Sequence, residues 1–196
     1  MNKINLFELR REIFHILVGI GFILMIIYVP YAQFILFGIL IIGGLLSFLS
    51  TQFYIPGLSK CLCLFERECN KNFPGKGVLF FFIGSLLSLQ LFNQKIALAS
   101  ILILTFADSV SHFVGSNFGK TALFNKRKYI EGNIFGIIIG SLVASFFVPI
   151  YIAFAGCFVA MFIEAVEIAM GGVTIDDNLL IPLVAGTVMH LVSGFL

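Results

Sequence analysis

The chain has 196 residues, 60% of them hydrophobic and 11% charged, with a net charge of +2 and a mean hydropathy of +1.08. Soluble domains carry roughly 25% charged residues. This composition therefore excludes an ordinary soluble enzyme and points to an integral membrane protein.

A membrane-spanning helix needs about 20 apolar residues. The runs without Asp, Glu, Lys or Arg include 13–59, 77–94, 96–107 and 132–163. The first and last are long enough for two spans each, with breaks at Val29-Pro30 and Val148-Pro149. The pattern predicts an all-α, polytopic helical bundle of about seven transmembrane helices, at 12–29, 33–52, 77–92, 95–115, 132–148, 150–170 and 178–195, forming a single transmembrane catalytic domain over 1–196. The first span follows a charged flank without a small-x-small cleavage site, so it is expected to stay in place. With the N-terminus in the cytoplasm, eleven of the twelve basic residues fall on the inner side and only Lys95 opposite, the asymmetry expected of an inside face. Cys61, Cys63, Cys69 and Cys157 read as reduced, inert thiols. The loop after the second span predicts an amphipathic surface helix over Leu58–Glu68, then a turn at Pro74-Gly75-Lys76-Gly77.

The ten acidic residues lie at or near the ends of apolar segments, and on this topology those ends share the inner side. A carboxylate at membrane depth costs several kcal/mol and marks function. In chain order, Arg11 and His15 share one helical face at the cytoplasmic mouth, where they can hold phosphate or serve as a topogenic flank. Asp108 and His112 are again four apart, inside the fourth span. They make a hydrogen-bonded pair or a ligand site. Gly115, Gly119 and Lys120 follow; their spacing falls one residue short of a P-loop and succeeds a helix, which rules that motif out. Backbone amides there can still meet phosphate.

Lys126, Arg127 and Lys128 form a basic cluster suited to lipid headgroups or phosphate. Glu131 opens the fifth span as a helix N-terminal charge or a ligand. Glu164 and Glu167 converge at spacing three, and Asp176, Asp177 and Asn178 begin the last span, where capping accounts for one of them. So many carboxylates repel unless a divalent cation neutralises them, and Mg2+ is held by one or two carboxylates with substrate phosphates. The metal candidates are Asp108, Glu131, Glu164, Glu167, Asp176 and Asp177, with Asp108, Glu131 and Asp177 also the candidate catalytic groups. The phosphate candidates are Arg11, His15, Lys76, His112, Gly115, Gly119, Lys120, Lys128 and Asn178.

These residues, in this order, carry a resemblance. Arg10-Arg11 with His15, Glu66-Arg67 before Pro74-Gly75-Lys76-Gly77, Ala107-Asp108 with Gly115 and Gly119-Lys120, Lys128-x-x-Glu131-Gly132, Glu164-x-x-Glu167 and Asp176-Asp177-Asn178-Leu179-x-x-Pro182 resemble the CTP-dependent lipid-alcohol kinases: dolichol and polyprenol kinase, phytol kinase and the yeast-type diacylglycerol kinase, relatives of the CDP-lipid cytidylyltransferases. Ala107, Tyr129 and Asn133 depart from the usual Gly and Ser/Thr of that pattern. The resemblance implies CTP as phosphoryl donor, a long-chain lipid alcohol as acceptor, membrane lipids as surroundings, no nucleic-acid partner, and a multi-pass protein with its active site on the cytoplasmic side. The oligomeric state stays open, a homodimer included. A cytidylyltransferase is the rival reading, and a transporter, using its acids for a proton or cation, a more distant one.

Overall fold

A computed structural model describes residues 6–53, 57, 74–123, 128–166, 169–170 and 173–194. The surface helix expected at Leu58–Glu68, three of the four cysteines, Lys126, Arg127 and Glu167 lie outside them. Seven helices are described: α1 (Leu6–Tyr28), α2 (Ala32–Gln52), α3 (Lys76–Leu91), α4 (Gln94–Phe118), α5 (Ile130–Ala144), α6 (Ile150–Val166) and α7 (Asp177–Gly194). A two-residue antiparallel ribbon, β1 (Ala169–Met170) with β2 (Val173–Thr174), joins α6 to α7. The chain is thus an all-α membrane bundle. Helices α1, α2, α4 and α7 are long and apolar enough to cross a membrane, and α3, α5 and α6 are shorter apolar helices.

The breaks sit where backbone chemistry requires them. Gly75 adopts φ 77° just before α3, a left-handed conformation natural to glycine. Pro149 lies between α5 and α6, and Asn93 caps α4 by accepting the Ile96 N–H at 3.0 Å.

Helix α4 runs through the middle of the bundle. Ala97, Ala99, Ile101, Ile103, Leu104 and Ala107 are all fully buried. Helix α5 packs on α4 and α6, α7 on α6 and α3, α1 on α4, and α2 lies at the edge beside α3. With lipid as apolar as the helix surface, association relies on close backbone approach at small residues. Gly132, Gly136 and Gly140 form that seam on α5. A Cβ at Gly132 would lie 2.3 Å from the Ser111 carbonyl oxygen, one at Gly136 2.6 Å from the Ala107 oxygen, and one at Gly140 2.7 Å from the Ala107 Cβ. Buried hydroxyls return to their own helix, as Ser88 donates to the Gly84 carbonyl at 3.0 Å and Thr105 to Ile101 at 2.7 Å.

Gly132→Ala is therefore expected to force α5 away from α4 and to destabilise the protein by about 1–3 kcal/mol, the usual range for overpacking. Gly21→Ala, whose new Cβ meets nothing within 4 Å, is the control. Thermal unfolding followed by circular dichroism should separate the two; equal melting temperatures would show that the seam is loose.

Two irregularities aim side chains inward. Residues Ile103–Asp108 form a π-helical turn within α4, a feature concentrated at functional sites. Gly19 of α1 makes room for it, since a Cβ there would sit 2.2 Å from Thr105 Oγ1. Pro182 lies in the second turn of α7; it has no N–H to donate to the Asn178 carbonyl. Gly84 of α3 accommodates that carbonyl, which would be 2.4 Å from a Cβ at position 84. The start of α7 is thereby drawn against α3.

Candidate active site

The π turn, the α5 seam and the Pro182 irregularity bring Asp108, His112, Lys128, Glu164, Asp176 and Asp177 to one end of the bundle. Asp108 is 7% exposed and Glu164 1%. His112 Nε2 lies 3.2 Å from Asp108 Oδ1. Donor atoms of Asp108, His112 and Glu164 all fall within 4.8 Å of one another.

Lys128 arrives from the segment before α5. Its Nζ sits 2.6 Å from Glu164 Oε1, 3.1 Å from the Glu164 carbonyl oxygen and 2.9 Å from Asp177 Oδ2. Burial disfavours the charge on Lys128, but Glu164 and Asp177 outweigh it and hold the ammonium above the ordinary lysine range. Asp176 precedes α7. Its Oδ1 accepts the Asn178 backbone N–H at 3.2 Å and the Asn178 side-chain amide at 3.0 Å, and its Oδ2 lies 3.7 Å from Lys76 Nζ. Burial raises the Asp176 pKa, opposed by Asn178 and Lys76.

Other expected residues lie around this group. Arg11 pairs within its own helix, 3.0 Å from Glu8 Oε2 and donating through Nε to Glu12 Oε1 at 3.1 Å. His15 packs edge-on to Phe81 with centroids 5.1 Å apart, and its Nε2 is buried without a hydrogen-bond partner. Gly115 and Gly119 lie beneath Tyr129, and a Cβ at Gly119 would be 2.2 Å from its ring. The exposed Lys120 gives its backbone N–H, not its ammonium, to Glu131. Glu131 itself is turned toward that backbone and is not among the three clustered donors.

Glu12, which the sequence pattern alone does not single out, also faces the site. It is 4% exposed, and its carboxylate feels the charges of His112, Arg11 and Asp108. The signal was there: Glu8, Arg11, Glu12 and His15 recur at helical spacing along one face of α1. Counting it, the described group holds six carboxylates (Glu8, Glu12, Asp108, Glu164, Asp176 and Asp177) against three permanent cations (Arg11, Lys76 and Lys128) and His112.

That surplus of negative charge fits a divalent cation. So do two buried oxygens lacking an aligned hydrogen bond, Glu164 Oε2 and Asp108 Oδ1, each the kind of acceptor that is costly to leave unmatched. Asp108 and Glu164 supply the hard oxygen donors Mg2+ prefers, and His112 completes the trio or serves as Asp108's partner.

The chain is 33% identical over 152 residues to an uncharacterised protein of Methanocaldococcus jannaschii, covering 77% of this chain and 75% of that one. It is 30% identical over 191 residues to an uncharacterised protein of Rickettsia prowazekii, with 90% of each covered. A protein of Schizosaccharomyces pombe named CTP-dependent diacylglycerol kinase 1 is 29% identical over 144 residues, 64% of each chain, and its Eremothecium gossypii namesake 23% identical over 222 residues, 96% of this chain and 68% of that one. No family model and no solved structure matches the chain. The protein is thus a helical membrane protein of the kind related to CTP-dependent lipid kinases. It belongs to the family that includes the Methanocaldococcus and Rickettsia proteins.

Proposed function

We propose that the protein transfers the γ-phosphoryl group of CTP to the hydroxyl of a membrane lipid alcohol at the cytoplasmic face. The observation that carries this reading is the buried contact of Lys128 with Glu164 and Asp177 beside the Asp108–His112–Glu164 trio. Acids for a metal and bases for phosphates stand together where α4 and α6 end and α7 begins. The yeast relatives' names supply the donor.

In such a transfer the lipid oxygen attacks the γ-phosphorus, the bond to the CDP oxygen breaks, and the hydroxyl proton passes to a carboxylate. Catalysis is mostly positioning and charge neutralisation. Asp108 and Glu164 would hold Mg2+, which when bound offsets the charge of the triphosphate. Lys128, Lys120 and Lys76, which lies 3.7 Å from Asp176, offer ammonium groups to the phosphates, and Asn178 an amide. Asp177 has a side-chain exposure of 29%, against 10% for Asp108 and 1% for Glu164. It is the carboxylate best placed to take the acceptor's proton.

The acceptor classes are diacylglycerol, after the relatives' names, and the polyprenols, dolichol, phytol or geranylgeraniol. All present a primary hydroxyl on an apolar body that reaches the site from the bilayer. A cytidylyltransferase would use the same charges to join CMP to a lipid phosphate. Purified protein in lipid nanodiscs, given CTP labelled at the α or the γ phosphate, separates the two. Label from the γ position in the lipid fraction supports the kinase. Label from the α position, with pyrophosphate released, would replace it with the transferase.

A further inference from the structure

Glu131 has the sequence context of a site carboxylate, yet the structure gives its oxygens other partners. Standing in the first turn of α5, it accepts the Lys120 backbone N–H at 3.2 Å and the Thr121 N–H at 3.1 Å. The chain doubles back at the same place. Ile130 donates to the Thr121 carbonyl at 3.0 Å, Leu123 to the Lys128 carbonyl at 2.7 Å, and Ala122 bridges Tyr129 antiparallel. The Tyr129 ring closes over Gly115 and Gly119, the last turn of α4. Two short stretches, 120–123 and 128–130, are thus tied together and tied to α4 and α5 at once. The second stretch carries Lys128, whose ammonium reaches Glu164 and Asp177.

We infer that Glu131 is a positioning residue: its carboxylate clasps the Lys120 and Thr121 amides and so fixes the doubled segment that delivers Lys128 to the site. It works through the backbone and does not ligate the metal. The physical reason is orientation: the carboxylate faces these amides and not the Asp108–His112–Glu164 trio. Both Glu131 oxygens are engaged by adjacent amides, and successive N–H groups in a turn form a concave site for an anion. A carboxylate ten and eleven residues away from those amides in sequence, yet bonded to both in space, closes the loop for the entropy of one side chain.

The inference rests in part on the kinase reading, so two measurements are paired. The first needs no activity: hydrogen exchange of the 119–131 segment, by mass spectrometry on the detergent-solubilised chain. Protection at Lys120 and Thr121 is expected in the wild type and largely in Glu131→Gln, whose amide oxygen still accepts a hydrogen bond, and is expected to be lost in Glu131→Ala. Equal protection in all three would overturn the clasp. The second measurement is kinetic. Glu131→Ala is expected to raise the KM for CTP about tenfold with kcat within a few-fold, while Glu131→Gln stays near wild type and the Mg2+ concentration for half-maximal rate is unchanged in both. A Gln variant as impaired as the Ala variant, with a raised Mg2+ requirement, would make Glu131 a metal ligand and end the proposal. Absence of CTP-dependent turnover in the wild type would count against the kinase reading and leave the exchange result to decide the clasp.

Discussion

Asp108→Asn is expected to lower CTP-dependent phosphorylation by at least about 10³-fold, roughly 4 kcal/mol of transition-state stabilisation, with little change in the protein's fold. The substitution keeps the size and shape of a side chain that is 7% exposed in the π turn of α4. It removes the negative charge that a divalent cation needs, and it takes from His112 Nε2 the anion 3.2 Å away. The amide has the same size and can still face His112 Nε2, so the helix bundle should keep its fold, and circular dichroism and size-exclusion profiles should match those of the wild type. Turnover within tenfold of the wild type would mean that Asp108 is only a structural partner of His112.

The second large effect is expected at Lys128. Lys128→Met leaves Glu164 and Asp177 facing one another without the cation that sits 2.6 and 2.9 Å from them. Removing one partner of a buried ion pair usually costs about 3–5 kcal/mol; Asp177 retains some contact with solvent, so the lower end of that range is expected here. The chain has no tryptophan, and thermal unfolding is best followed by circular dichroism. Adding Glu164→Gln to Lys128→Met removes the stranded charge. The double variant should recover much of the lost stability while remaining inactive, a coupling that a pair of unrelated sites would not show. If the two destabilisations simply add, the Lys128–Glu164 contact contributes little to the fold.

Much of the architecture was legible because lipid imposes strong rules on sequence. The runs free of charge gave seven helices, and the ends of α2, α3 and α7 fall within one residue of those read from apolar length and from Pro30 and Gly75; α1 instead begins six residues earlier, α4 continues three residues further, α5 stops four residues short at Ala144, and Ala169–Met170, expected in α6, pair in the ribbon. Gly136 and Gly140 lie at the four-residue spacing that permits a close helix contact, but the partners, Ala107 and Ser111 of α4, and the part Gly132 plays in the same seam could be named only from the structure. Helical spacing likewise paired Asp108 with His112.

The site itself was readable as a membership, less so as a geometry. Glu167, expected beside Glu164, lies outside the described residues; the partner the structure does show for Glu164, Lys128, is 36 residues away in sequence, a distance no periodicity reports. Glu131 sits in a run of site-like residues, but its rotamer turns it to the amides of Lys120 and Thr121. Gly115 and Gly119 suggested backbone for phosphate, and the structure places the Tyr129 ring over them. Glu12 was passed over because a charge near a basic N-terminal flank looks topogenic until α1 is seen packed on α4 with that carboxylate buried. In each case the missing information was tertiary.

The most direct test is lipid mass spectrometry. Purified protein is incubated with a total lipid extract, Mg2+ and CTP, ATP or GTP in turn, beside an Asp108→Asn control. The account predicts a lipid alcohol that gains a single phosphate with CTP, in the wild type and not in the variant. A lipid that gains CMP, a phosphorylated lipid formed equally by the Asp108→Asn protein, or no modified lipid at all would contradict it.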